Sequence, residues 1–151
     1  MSLQRLIYYS ENRIGLSQRN KRIAELQATA IDRNRQNQIT GALIHDDLWF
    51  VQTLEGDPRA VKETFERIAK DPRHANVKII CKAQVSARLF GEWSMGFAAR
   101  TPRTQSLFGE HWNNKGVNPN SMTEQGVLSL MKELARQGYM RSQPLAKQFV
   151  A

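Results

Sequence analysis

The residues of this chain best suited to chemistry are a glutamine and a tyrosine, each set in a strand-like apolar pattern. In Phe50-Val51-Gln52-Thr53-Leu54-Glu55-Gly56, a period of two puts Phe50, Gln52 and Leu54 on one face. A primary amide between two large apolar side chains is costly to bury unless its donors and acceptor are met. Leu6-Ile7-Tyr8-Tyr9-Ser10 offers a partner, because Tyr8 shares a face with Leu6. A phenol donates or accepts a hydrogen bond, and it can release an electron together with a proton. Taken alone, the pair reads as a buried contact that helps to pack a core.

Other chemistries find little support. The chain has no G-x-G-x-x-G, no Walker loop, no H-E-x-x-H and no cysteine–histidine cluster with metal spacing. Of its three histidines, His45 falls in a turn and His111 in a linker; only His74, in Asp71-Pro72-Arg73-His74, sits in a composed motif. The single Cys81 cannot close an internal disulfide, and its strand context suits a small buried hydrophobe.

The elements that must hold Tyr8 and Gln52 follow from periodicity. Residues 3–10 read as a strand. Ser17 is placed to cap a helix to about Asn37, with Ile23, Leu26 and Ala30 at helical spacing. Thr40 to His45 and Leu48 to Glu55 read as strands joined by an Asp46-Asp47 hairpin. Asp57-Pro58 opens a second helix with an apolar face of Val61, Phe65 and Ile68, which Asp71-Pro72 ends. Strands follow at about Val77 to Val85 and Trp93 to Ala98. The order β-α-β-β-α-β plus one strand predicts an α+β, ferredoxin-like sandwich, with a groove between its two helices for a flat ligand. Residues 100–120 read as a linker with a short helical turn near Leu107 to Trp112. Ser121-Met122-Thr123-Glu124 matches a capping box, opening a helix with Val127, Leu130, Met131 and Leu134 in a stripe that Gly138 stops. That helix should cover the bare sheet face or join a partner. Residues 1–98 thus form one domain, and 99–151 a linker and helical cap.

Composition limits the rest. The 151 residues suffice for one domain with a core. No apolar run approaches the ~20 residues that span a bilayer, and the first ten residues do not form a signal peptide; the expected location is cytoplasmic. The net charge of +8 is spread, +4 over residues 1–98 and +4 over 99–151, with no basic run beyond a pair. A solvated basic surface or an acidic protein partner fits this better than a nucleic acid.

Taken together, the motifs resemble the BLUF domains, sensors of blue light using FAD. The residues that carry the resemblance are Tyr8; Asn34 with Ile39-Thr40-Gly41; Gln52 in its strand; Asp71-Pro72-Arg73-His74-Ala75-Asn76-Val77; and Arg88-Leu89-Phe90-Gly91-Glu92-Trp93-Ser94-Met95. They occur in order over residues 3–98. The resemblance implies an isoalloxazine ring between the two helices, with Tyr8 bonded to Gln52 and Gln52 to the flavin. Blue light then drives electron and proton transfer from the tyrosine. The glutamine ends in a changed orientation or tautomer, and a new hydrogen bond to the flavin C4 carbonyl shifts the absorption slightly to the red. An amide suits this task, because rotation exchanges donor and acceptor at nearly equal size. The flavin is not consumed, so the expected function is signalling and not catalysis.

By the same resemblance Asn34 meets the flavin's polar edge, a role compatible with capping the first helix. Leu26 and Ile68 pack on the ring. Arg67, Asp71 and Arg73 face the ribityl and phosphate part, and Arg33, where other members carry His or Asn, covers the flavin or projects to solvent. FAD is the implied cofactor, with FMN or riboflavin also accommodated. Trp93 and Met95 exchange in the family between inward and outward positions; two residues apart, they are expected to share one strand face and compete for one space. With no recognisable catalytic domain in the last fifty residues, the expected protein is a short photoreceptor. It would act on a separate effector, either a cyclic-nucleotide or cyclic-dinucleotide enzyme or a response-regulator-like protein, and form homo-oligomers through the helix at 121–137. Two rivals are a ferredoxin-like binding module that has lost flavin and an acylphosphatase-like hydrolase; the latter lacks a glycine-rich phosphate loop.

Overall fold

The structure is a computed structural model that describes residues 2–111 and 122–141. Five strands, β1 (Leu3–Asn12), β2 (Thr40–His45), β3 (Trp49–Gly56), β4 (His74–Val85) and β5 (Gly96–Ala99), form one sheet in the order β4-β1-β3-β2-β5. All neighbours are antiparallel except β2 and β5, which run parallel. Helices α1 (Arg19–Asn37) and α2 (Pro58–Ala69) make the two β-α-β crossovers of a ferredoxin-like sandwich; α3 (Gln105–His111) and α4 (Glu124–Arg136) follow. The register sets Tyr8 directly opposite Gln52 and Leu43 opposite Gln52 on the other side. Three neighbouring strands therefore place these side chains on one face.

Strand alternation divides the core into two layers. On one face Leu6, Tyr8, Leu43, Phe50 and Leu54 pack under α1 and α2, joined by Leu26, Val61 and Met95. On the other, Ile7, Tyr9, Ile44 and Val51 pack under α3 and α4. Val127, Leu130, Met131 and Leu134, the predicted stripe of α4, are fully buried there. The helix thus covers the sheet face that α1 and α2 leave bare, and its stripe is not available to a second subunit.

Several boundaries differ from expectation. Ser17 does not cap α1; it lies in a 3-10 turn, Leu16–Gln18, and Gln18 precedes the helix without a side-chain cap. The hairpin turn is centred on Asp47 and Leu48. Asp46 closes it, its carboxylate accepting from the Leu48 and Trp49 amides at 2.8 Å each, which serves the turn better than an Asp-Asp centre. The Asp57 carboxylate accepts from the Arg59 amide, with Pro58 in the first turn, as expected. For α4 the cap is Thr123, whose hydroxyl accepts from Gly126. Glycine has no side chain to complete a capping box, and Ser121 and Trp112 lie outside the described residues. Gly138 follows α4 with φ +82°, the left-handed stop it was expected to provide.

The last difference matters for function. β5 begins at Gly96, so Trp93 and Met95 precede the strand. A turn closed by the Trp93 amide on the Phe90 carbonyl (3.2 Å) twists the segment, and the two side chains part. Met95 enters the α1–α2 layer, fully buried, while Trp93 packs half-buried against the α3–α4 layer, stacked on Phe90. They do not share a face.

Candidate functional site

A cleft with a cavity of about 110 Å³ opens between α1 and α2 above the sheet. Helical spacing builds its walls. Leu26, Thr29, Ala30 and Arg33 recur at three and four residues along α1; Thr64, Arg67, Ile68 and Asp71 do so along α2 and its end. Leu43 and Gln52 form the floor, and Arg73 and His74 close one end. Of the predicted site residues, Leu26, Arg33, Asn34, Gln52, Arg67, Ile68, Asp71 and Arg73 all line this cleft. Tyr8 and Met95 lie behind Gln52. Trp93 is on the opposite side of the sheet.

At the floor, Tyr8 donates its phenolic hydrogen to Gln52 Oε1 in a short hydrogen bond. Gln52 Nε2 in turn donates to Met95 Sδ at 3.3 Å. Burial, with the Asp71 charge adding to it, pushes the Tyr8 pKa well above the usual phenol range. The phenol is therefore neutral and keeps its hydrogen, which in this arrangement it donates to the amide oxygen. Gln52 is 4% exposed, and its second amide hydrogen has no partner among the described residues.

Asn34 supplies a second carboxamide. Its Nδ2 donates to the Ser94 carbonyl at 2.9 Å, tying α1 to the segment before β5. Its oxygen has no hydrogen-bond donor among the described residues. Asn34 is not the helix cap: Gln38 (φ 56°) holds the left-handed cap position, and the Asn34 backbone carbonyl accepts from Ile39.

The far end of the cleft is charged. Asp71 accepts from the Arg73 guanidinium in a two-pronged contact, Nε at 3.0 Å and Nη2 at 2.5 Å, and from the Arg73 amide at 2.9 Å. Burial would raise the Asp71 pKa, but the bonds from Arg73 outweigh it and hold the carboxyl below its usual range. Arg33, Arg67 and Arg73 against Asp71 leave this rim positive. Arg33 and Arg67 are exposed, so they border the opening without closing it.

His74 lies between the two ends. It is buried, meets Ser10 Oγ through Nδ1 at 2.7 Å, and packs against Phe50 with ring centres 4.6 Å apart. Burial lowers its pKa to about 4, with Arg73 lowering it further and Asp71 opposing. The folded state therefore binds fewer protons than the unfolded chain between pH 4 and 6.5. Stability from this group is complete above pH 6.5 and falls as pH drops through that window, by roughly 1.4 kcal/mol per unit. Urea unfolding at pH 7 and pH 5 should show a steeper loss for the wild type than for His74→Gln. Equal losses would contradict this assignment. His45, also lowered to about 4 by burial, contributes its own slope to both proteins.

Thr29, Leu43 and Thr64 were not singled out from the sequence. Counting three residues on from Leu26 or back from Arg67 finds the threonines, and the strand register finds Leu43.

Comparison with known proteins shows the family. Residues 3–96 match the model of the family described as sensors of blue-light using FAD. The chain belongs to the BLUF family. A photoactivated adenylate cyclase subunit beta of Euglena gracilis is 40% identical over 74 residues, 48% of this chain and 9% of that protein. The blue light- and temperature-regulated antirepressor BluF of Escherichia coli K12 is 37% identical over 75 residues, 50% of this chain and 19% of that protein. The aligned part is thus a small fraction of these relatives. Among solved structures, BlsA in its photo-activated state superposes with TM-score 0.77 at 30% identity, covering 87% of this chain and 94% of that one. The dark state of the BLUF protein BlrB gives 0.76 at 27%, covering 90% and 97%. Both likenesses cover more of the chain than the family match over residues 3–96.

The BLUF cofactor, FAD, is compatible with the residues present. A flat ring system needs apolar walls, which Leu26, Ile68 and Leu43 provide. It also needs partners for its polar edge, and the free N–H of Gln52 and the oxygen of Asn34 are such groups. The positive rim suits a phosphate-bearing tail. Among the described residues, no helix is long and apolar enough to cross a membrane, and no cluster of three His, Cys, Asp or Glu could hold a metal.

Proposed function

We propose that this chain is a blue-light receptor whose switch is the Tyr8–Gln52–Met95 hydrogen-bond chain. Residues 1–98 form the sensor and 99–151 the output segment. Bound in the cleft, FAD supplies a chromophore whose excited state is a strong oxidant; FMN and riboflavin carry the same ring. Leu26 and Ile68 flank the ring, Asn34 holds its polar edge, and Arg33, Arg67, Asp71 and Arg73 attend the ribityl and phosphate part. Tyr8, neutral and shielded from water, holds its proton on the bond to Gln52.

The observation that carries this reading is the double duty of the Gln52 amide. Its oxygen accepts from Tyr8, and its nitrogen donates to a sulfur. Reversing the amide sets Oε1 against Met95 Sδ, which has no hydrogen to give. The reversed form loses that contact, so amide orientation and Met95 position are coupled. The two arrangements are discrete because a buried amide has few other partners. The test is the light-minus-dark absorption spectrum of the purified protein.

The relay follows the chain from Met95. Ser94 is bonded by Asn34, and the Trp93 carbonyl accepts from Gly41 at 3.3 Å. Gly96 has no room for a β-carbon, which would lie 2.8 Å from Trp93 Cε3 and 2.8 Å from Met140 Cγ. Trp93 and Met140, of the segment after α4, thus both close on Gly96, and Phe97 pairs with Arg141 of that segment. A second contact runs through the sheet: Thr53, next to Gln52, donates its hydroxyl hydrogen to Met131 Sδ of α4 at 3.2 Å. Movement of Met95 reaches the segment after α4 by the first route and rearrangement at Gln52 reaches α4 by the second, and the signal passes to a separate effector: a cyclic-nucleotide or cyclic-dinucleotide enzyme or a response-regulator-like protein. Hydrogen exchange in the dark and under blue light should show changed protection in residues 91–99 and in α4. Unchanged α4 protection would remove the relay while leaving the photoswitch standing.

A further inference from the structure

A second cavity, about 440 Å³, lies on the far side of α1 from the flavin cleft. It is bounded by the first turns of α1, the β2–β3 hairpin, the end of β5 and the segment after α4. Its volume falls within the range of small-molecule sites. Gln27 of α1 lines it, is 4% exposed, and has a fully buried Oε1 with no hydrogen-bond donor among the described residues. Arg19 Nε, at the same cavity, is also buried without an acceptor. Buried polar atoms of this kind ordinarily have partners.

Charge narrows the occupant. Four arginines and two aspartates line the cavity, a net of two positive charges. Arg19 is paired with Asp47 at 2.5 Å and Arg100 with Asp46 at 3.9 Å. Arg103 and Arg141 are exposed and form no ion pair among the described residues. His45 is held neutral by burial and adds no charge. Ile23, Phe97 and Ala98 give an apolar wall.

We propose that this cavity is a second ligand site for a small organic anion. The anion carries a phosphate or carboxylate for Arg103 and Arg141, a flat or apolar body for the wall, and an N–H or O–H that donates to Gln27. Guanidinium groups recognise both acid types by the same paired hydrogen bonds. The wall includes β5, so occupancy would bear on the strand that links sensor to output. The site itself does not depend on the flavin reading.

The test is calorimetric titration of the full-length, flavin-loaded protein with adenosine monophosphate, 4-hydroxybenzoate and inorganic phosphate. The site predicts saturable binding of at least one organic probe, tighter than inorganic phosphate. Arg103→Ala with Arg141→Ala, both exposed, should weaken it at least about tenfold, as expected for losing charge-assisted bonds. Gln27→Met should weaken it severalfold and leave the flavin spectrum unchanged. Failure of both organic probes to bind at millimolar concentration overturns the proposal. So does affinity indifferent to the arginine pair, or a Gln27→Met protein that gains thermal stability and keeps full affinity, since Gln27 would then be only an unsatisfied core amide.

Discussion

Replacing Gln52 with leucine should leave the flavin bound and abolish the light-induced red shift. Leucine has nearly the same size and suits a position that is 4% exposed between Phe50 and Leu54, so the cleft keeps its shape. What disappears is the amide. Tyr8 loses its acceptor and Met95 its donor, and no group remains that can exchange donor for acceptor. The orphaned phenol costs on the order of 1–3 kcal/mol, which the fold should tolerate. Light-minus-dark spectra of wild type and variant at matched flavin occupancy measure the effect, and the expected loss is complete. Tyr8→Phe should behave alike, because it removes the hydrogen donated to the amide. A variant lacking the amide that still shifted would show that the spectral change arises elsewhere.

The largest effect on stability is expected at Glu55. This carboxylate is fully buried and accepts from Arg5 Nε at 3.0 Å and from the Leu89 and Phe90 amides at 2.9 Å each. The Glu55 carbonyl also accepts from Arg88, which donates to Thr40 Oγ1 as well. One side chain therefore fastens the loop that leads to Trp93 and Met95 onto β3. Arg5, itself 8% exposed, also reaches Glu124 at the start of α4, at 3.9 Å. Glu55→Ala strands a buried guanidinium and two backbone donors, which should cost about 3–5 kcal/mol in urea unfolding. A loss under about 1 kcal/mol would mean that water replaces the carboxylate. The shift spectrum of the variant should survive wherever the protein stays folded, since Glu55 touches neither Tyr8 nor Gln52 through any described hydrogen bond.

The strand pattern was the most legible part of the sequence. Alternation around Tyr8 and Gln52 placed both on one face, and the register sets them opposite one another. The two helix stripes were legible for the same reason, since side-chain direction follows backbone period. Local chemistry that depends on a neighbour was not. Ser17 looked like a cap, yet the chain enters α1 through a 3-10 turn. Strand spacing gives Trp93 and Met95 one face, but the Phe90–Trp93 turn breaks the period and sends them to opposite layers. Glu55 carried no signal, because an acidic residue at a strand end ordinarily faces solvent. Its partners come from positions 50 residues earlier and 34 and 35 residues later. The coupling of Gln52 to a sulfur was hidden for a similar reason: it needs the fold to bring residue 95 beneath residue 52.

Blue light should rearrange the Tyr8–Gln52–Met95 hydrogen-bond chain without consuming the cofactor. The most direct measurement is the visible spectrum of the purified wild-type protein, taken in darkness, after blue illumination and during recovery. The expected result is a flavin spectrum that moves slightly to the red in light and returns to its starting form in the dark. Bound flavin that bleaches, or that shows no shift at all, would contradict it.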